Sequence, residues 1–325
     1  MSFSKGRVNL YEPRWDQSTY WGRLRHFINV TNPLNLLHTR EDLEWAKNVV
    51  LKYRSGETMS HLSEEELWYA KQMYDSAFHP ETQKLIHPLG RMSAQVPVNI
   101  LIVGGMLSFY KSHHAIMFWQ WVNQTSNCFL NYSNRSSGEY ISGLQLGISY
   151  VLGCGGAMAV SSTLKQTLTQ TGKSFPLLSR FIPFAGLAAA SCVNVSLMRI
   201  QELVQGVAVT DSKGNRIGLS ATAGSLAVGQ VIVTRVVNSA PALLITPVIM
   251  HRLETILPSL LRYPILRFPK QLVVIGVILG ISTPMTCAIF PRKEAIPVTS
   301  LEKEIQEKAK KAPGSPTVLY YNKGL

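Results

Sequence analysis

Between residues 92 and 200 the chain holds six Lys or Arg side chains and a single acid, Glu139. The preceding 91 residues carry twelve basic against eleven acidic groups, an ordinary balance for a solvated surface. This abrupt loss of charge constrains the fold more than any other feature. An ionised side chain is costly in hydrocarbon, and a long charge-poor stretch suits lipid. A large buried-helix core in a soluble domain is the competing reading. The recurrence of the pattern in several separated stretches favours a membrane. Basic residues gather between those stretches, at Lys165, Lys173 and Arg180 and again at Arg252, Arg262, Arg267 and Lys270. Such loops match anionic headgroups. The net charge of +13 arises almost wholly after residue 91, yet no continuous basic helix or glycine–aromatic sheet motif accompanies it. A nucleic-acid partner is not expected.

The apolar stretches are Val96–Tyr110, Leu144–Leu164, Phe181–Met198, Leu226–Met250 and Leu272–Ile289. The first rises only about 22 Å against a hydrocarbon core of about 30 Å. It either begins near Met92 or continues through His113 and His114, with a break, into Ala115–Tyr132. The expected fold is an all-α membrane protein with about five transmembrane helices. Ala115–Tyr132 is a further crossing, a half-helix or a re-entrant segment. Five crossings put the termini on opposite sides and six put them together. Residues 1–91 form a small N-terminal helical region, 92–290 the bundle and 291–325 a soluble tail.

Ala115–Tyr132 carries Gln120, Asn123, Gln124, Asn127 and Asn131 at i, i+3, i+4, i+7 and i+11. At about 100° per residue these five amides share one face, opposite Phe118, Val122 and Phe129. Uncharged hydrogen-bonding groups on a helix suited to lipid require protein, water or a polar solute against them. Two other helices contain polar groups: Ser191 and Asn194 ahead of Arg199, and Thr234, Arg235 and Asn238 ahead of Pro241 and Pro247. The prolines remove backbone donors and are expected to break the helix, a device by which transporters bind polar solutes near mid-membrane. A kinked packing helix whose arginine snorkels outward is the alternative. Gly153, Gly155, Gly156, Ala157 and Ala159 suit close helix approach rather than a dinucleotide turn.

In the N-terminal region Asp16 is placed as the cap of a helix over Gln17–Ile28. Thr39 with Asp42, and Ser63 with Glu66, have the spacing of capping boxes. Val209–Ser220 reads as a β-turn or hairpin around Gly214–Asn215, Ser300–Lys311 as a short charged helix, and the last residues as a strand or extended segment. Asp75, His79 and Pro80 form a motif at a helix end, where Asp75 has the reach to orient the imidazole. No nucleophile or second ligand cluster accompanies it, so capping is the better reading and no enzyme is expected. Adjacent His113 and His114 diverge on a helix. Cys128, Cys154, Cys192 and Cys287 fit neither a zinc site nor a disulfide framework and read as small buried hydrophobes. No metal or cofactor is expected. The opening MSFSKGRVNLYEPRWDQ lacks an apolar core, so targeting information is expected to be internal or to lie outside simple motif reading.

The blocks EPRWDQSTYWGR (Glu12–Arg23), YDSAFHPET (Tyr74–Thr82), GRMSAQVP (Gly90–Pro97), FWQWVNQTSNCFLNYSNRS (Phe118–Ser136), RFIPFAGLAAASCVNVSLMR (Arg180–Arg199) and the terminal YYNKGL run in order along the chain. Together they resemble the sideroflexin family, most of all its animal members 1 to 3. The chain departs from the family pattern at Glu81, where Asp is usual, at Thr125, where Ser is common, and at Val195–Ser196, where relatives often have Ile-Pro. The resemblance implies a multi-pass transporter of small neutral amino acids in the mitochondrial inner membrane. L-serine is the leading substrate, feeding one-carbon metabolism. It also implies an alternative, an accessory or scaffold protein in iron, haem or iron–sulfur homeostasis without direct transport. For a zwitterionic cargo, Asn123, Gln124 and Asn127 are expected to line the route with Asn194 facing them. Arg235 is expected to pair with the carboxylate, and carbonyls freed near Pro241 to take the ammonium. The competing reading is that the amides merely join helices.

Overall fold

The computed structural model describes residues 8–57, 59, 61–79, 82–109, 112–133, 143–170, 182–212, 214–256 and 266–323. Pro80, Glu81, Lys111, Glu139, Lys173, Arg180 and Arg262 lie outside the described residues. Helix α1 (Tyr20–Val30) starts three residues later than expected, because Thr19 rather than Asp16 caps it. The Asp16 carboxylate instead accepts from Ser18 N–H at 2.9 Å and Ser18 Oγ at 2.7 Å, closing a turn before the helix. Helices α2 (Arg40–Ser55) and α3 (Glu64–Ala77) begin at the two capping boxes. Thr39 N–H donates to Asp42 at 2.8 Å and Ser63 N–H to Glu66 at 2.7 Å. Gly56, at φ +107°, ends α2 in the left-handed conformation that lacks a Cβ penalty. Leu43, Ala46 and Val50 of α2 pack against Leu67, Ala70, Tyr74 and Ala77 of α3 in a small separate core.

The bundle comprises α4 (Gln95–Ser108), α5 (His113–Ser133), α6 (Gly143–Gln170), α7 (Ile182–Met198), the single turn α8 (Ile200–Val204), α9 (Ala221–Ala240), α10 (Thr246–Ile256) and α11 (Arg267–Cys287). Among the described residues, three windows are long and apolar enough to cross a membrane: Gly147–Thr167, Ala221–Leu253 and Arg267–Cys287. Met92–Ser108 and Ile182–Met198 are shorter apolar helices. On α11, Val273, Val277, Ile281 and Met285 are exposed at four-residue intervals, while Gln271, Ile275, Leu279 and Ser282 are buried. That division is a lipid-facing ridge backed by a packing face. Helix α4 runs antiparallel to α11: Gln271 Nε2 donates to Gly104 O at 3.3 Å, and Ile100 packs on Gly276. The chain leaves helical geometry at Phe109, so α4 and α5 are distinct helices. They close tightly, since a Cβ on Gly105 would lie 2.1 Å from the Trp119 ring.

The expected break at Pro241 and Pro247 does not form. Helix continues from Ala221 to Ile256, with residues Pro241–Ile245 wound as a π-helix between the two prolines. Widening the turn relieves the clash between a proline ring and the preceding carbonyl, and it accommodates the missing donor without ending the helix.

Outside the bundle the chain is not all-α. Strands β1 (Val207–Thr210), β2 (Arg216–Ser220), β3 (Lys293–Pro297) and β4 (Val318–Asn322) form an antiparallel sheet in the order β2-β1-β4-β3. The hairpin expected near Gly214 is therefore extended by the C-terminal tail. Helix α12 (Lys303–Lys311) buries Ile305 and Ala309 in a core with Val209, Leu319, Tyr321 and the first turns of α9. Glu302 fastens this unit to the membrane helix. Its carboxylate accepts from Ser220 Oγ at 2.7 Å and Thr222 N–H at 2.8 Å, at the N-terminus of α9. Desolvation opposes its ionisation, but these donors prevail and hold the carboxyl at about 2.

The N-terminal region docks at the C-terminal end of α11, beside this sheet. Buried Arg23 donates to Ala288 O at 2.8 Å and Ile289 O at 3.3 Å, and Tyr20 OH donates to Met285 O at 3.3 Å. Carbonyls in a helix's last turn lack intrahelical partners and attract cations. Arg23→Ala is expected to destabilise this docking by about 3 kcal/mol, and Arg23→Lys to recover less than half of that, because one ammonium does not replace a fork. Limited proteolysis of the N-terminal region would measure both. Glu302 supplies stability in full above its ordinary value of 4.5, and this is lost as pH falls through about 2. In chemical denaturation, the stability gap between wild type and Glu302→Gln is therefore expected to shrink across that window.

Candidate functional site

Helices α5, α6 and α7 meet along one seam, and the amide face of α5 points into it. Gln120, Asn123 and Gln124 are all buried. Gln120 Nε2 donates to Ser161 Oγ of α6 at 3.3 Å and to Pro183 O of α7 at 3.2 Å. Asn194 Nδ2 of α7 donates to Gln124 Oε1 at 3.3 Å. The seam is tight because two glycines admit these side chains. A Cβ on Gly186 would lie 2.0 Å from Ser161 Oγ and 2.6 Å from Gln120 Nε2, and one on Gly153 3.0 Å from Asn194 Nδ2. The amides therefore do join helices.

They are not fully used in doing so. Gln120 Oε1, Asn123 Nδ2 and Asn194 Oδ1 are buried without a hydrogen-bond partner. Each such atom costs about 1–3 kcal/mol, and native structures keep few of them. Two acceptors and one donor match the two ends of a zwitterion: an ammonium gives to amide oxygens and a carboxylate takes from an amide nitrogen. Asn127, one turn beyond Asn123, is half-buried. The Asn131 side chain lies outside the described residues. Thr125, at the position where relatives often have Ser, bonds to Tyr150 OH of α6 at 2.8 Å.

Arg235 is half-buried on α9, and Arg199 at the end of α7 is a charged neighbour of it. Arg199 forks onto Glu202 through Nε and Nη2, and its Nη1 is buried with no partner.

Asp75 and His79 both make local bonds at the end of α3. Asp75 pairs with Lys71 at 2.6 Å. His79 Nδ1 accepts from Thr82 N–H at 3.2 Å, and its backbone N–H donates to Lys84 O at 2.9 Å, building the turn after α3. A cleft of about 250 Å³ lies beside it, lined in part by Arg14, His26, Trp68, Lys71 and Asp75. The rings of His113 and His114 stand 6.2 Å apart at 81°. Among the described residues, no group of three or more His, Cys, Asp or Glu is arranged to hold a metal. All four cysteines are free, and Cys192 is exposed on α7 where a buried residue was expected.

Ser161 and Gly186 are the members of the seam that the amide spacing on α5 does not reveal. Their signal lies on α6, where Gly153, Ala157 and Ser161 recur every four residues and are all buried.

Residues 9–325 match the sideroflexin family. Sideroflexin-1 of Bos taurus and of Homo sapiens are each 46% identical to this chain over 318 residues, and sideroflexin-3 of Mus musculus is 47% identical over 318 residues. In each case 98% of both chains is covered. No solved structure matches. Full-length similarity at this level, on a bundle with several membrane-length helices, makes the chain a sideroflexin, a multi-pass membrane transporter of the mitochondrial inner membrane and not an enzyme.

Proposed function

We propose that this sideroflexin moves small neutral amino acids, with L-serine as the leading cargo, across the inner membrane to supply one-carbon metabolism. The observation that carries this reading is the set of three unpartnered amide atoms in the α5–α7 seam. Gln120 Oε1 and Asn194 Oδ1 receive the ammonium and Asn123 Nδ2 the carboxylate. Gln124 and Asn127 line the approach, and Arg235 attracts the carboxylate end. The amides are almost inaccessible, so cargo reaches them when α5 and α7 separate. The π-helical stretch after Arg235, bounded by Pro241 and Pro247, is a place where α9 and α10 flex.

We also propose that α5 is a full crossing, making six. The support is the depth at which its ends pack. Near its start Trp119 meets Gly105, late in α4, and at its finish Ser133 meets Gly90, just before α4. Helix α5 therefore runs back along the whole of α4, and its 21 residues are about 31 Å long. Parity agrees. The N-terminal region docks on Ala288 and Ile289, next to the C-terminal sheet, so both termini share one face of the membrane. The β1–β2 hairpin shares that face through its pairing with β4, and six crossings, four of them before the hairpin, satisfy both conditions.

In proteoliposomes, uptake of labelled L-serine is expected to fall about tenfold or more in Asn123→Leu, the effect of one lost charge-assisted hydrogen bond. Wild-type uptake in folded Asn123→Leu and Arg235→Leu proteins would reject this site. For topology, epitope tags at the two termini should be cut together when one face of the inner membrane is opened to protease. Protection of one tag and loss of the other would rule out six crossings.

A further inference from the structure

The junction of α9 and α10 holds buried oxygens that the amide seam does not use. Thr246 is 1% exposed, and its Oγ1 has no hydrogen-bond partner. Other helical threonines behave differently. The hydroxyls of Thr125, Thr167, Thr234, Thr255 and Thr286 each donate to the carbonyl four residues back, at 2.6–3.0 Å. For Thr246 that carbonyl belongs to Ala242, in the π-helical stretch Pro241–Ile245. Pro247 deprives the same stretch of a donor. Residue 247 serves Ala242 O in a π register and Leu243 O in an α register, and as proline it has no N–H. The Thr246 hydroxyl has the reach of both carbonyls, three and four residues back, yet bonds to neither. All three residues are buried on one face. Ala242 and Leu243 pack there with Val103 of α4, Leu187 of α7 and Ile275 and Leu279 of α11. One turn beyond Leu279, Ser282 Oγ of α11 is also buried without a partner.

We infer that Ala242 O, Leu243 O and Thr246 Oγ1 form a binding site for a monovalent alkali cation stripped of part of its water. Acceptor oxygens left without donors in a dry core are stabilised by a positive charge. The set contains no carboxylate. Calcium and magnesium sites are built on carboxylates, whereas neutral carbonyls and hydroxyls replace the hydration shell of a singly charged ion. A helix disturbed by proline is also where transporters expose such carbonyls to a coupling ion. The site adjoins the amide seam: Trp119 and Val122, chain neighbours of Gln120 and Asn123, pack against the same core. Ion binding itself stands on the fold and not on the transport reading.

The test is thermal unfolding of the full chain in lipid nanodiscs at fixed ionic strength, with sodium or potassium chloride replacing choline chloride. At least one of the two alkali ions is expected to raise the midpoint saturably above its value in choline. Thr246→Val is expected to raise the half-saturating concentration about tenfold or more, the effect of one lost ion–oxygen contact. Thr246→Ser keeps the hydroxyl and is expected to keep the wild-type ion dependence. Pro247→Ala returns an N–H to these carbonyls without touching a side-chain oxygen, and is expected to weaken the ion as Thr246→Val does. Equal midpoints in sodium, potassium and choline overturn the site. So does wild-type ion dependence in a folded Thr246→Val protein, or in Pro247→Ala should Thr246→Val fail to fold. If L-serine rather than either ion gives the shift that Thr246→Val removes, the oxygens take the cargo's ammonium, and the ion site falls while the transport reading stands. Wild-type protein that moves no L-serine but keeps its ion-dependent midpoint sinks the transport reading and leaves the ion site.

Discussion

Three consecutive carbonyls, those of Ala288, Ile289 and Phe290, receive both ends of this protein. Arg23 arrives from the N-terminal region and Lys323 from the C-terminal strand. These carbonyls emerge where the last long helix stops, so no further helical turn offers them N–H donors, and they lie at the negative end of its dipole. Two cations are the natural complement. Their convergence closes the N-terminal helices and the C-terminal sheet over the same end of the bundle, where Arg199 is a charged neighbour of Lys323. Arg23 is buried and also donates to Gln17 O and Ser18 O, which ties the turn before α1 to the same point.

Inside the bundle the governing constraint is the lack of water to satisfy amides. Gln120, Gln124 and Asn194 meet it partly by bonding between helices, with glycine at 153 and 186 allowing the approach. The two readings of the amide face are therefore complementary. One set of atoms holds α5 against α6 and α7, and the remaining set, without a partner in the fold, is what the proposed function assigns to a solute. A seam that was only structural would be expected to pair both ends of each amide, since an unpaired buried atom is a persistent cost.

Much of this was legible in the sequence because it is local. Capping boxes at Thr39 and Ser63, the left-handed Gly56, the buried face of α3 and the amide stripe follow from spacing alone. What was not legible depends on partners far along the chain. Asp16 has the chemistry of a cap, but a turn with Ser18 claims it first. Pro241 and Pro247 mark a disturbance without saying whether the helix breaks or widens. The tail from Lys293 onward reads as isolated fragments, since strands β3 and β4 acquire their meaning only from β1, more than eighty residues earlier. In the candidate site, the α5 stripe announces itself, whereas Ser161 and Gly186 matter only through what they meet in space.

The sheet also bears on how the molecule is assembled. The β1–β2 hairpin forms from neighbouring residues, but Thr210 finds its partner Tyr320 only after α9, α10, α11 and α12 have been made. Until then one edge of β1 is open, a state prone to pairing with other chains. A chain that inserted α9 or α11 incorrectly would carry the two halves of the sheet to opposite sides of the bilayer, where they never meet. Closure of β1 on β4 thus requires that the last two membrane segments have both been threaded.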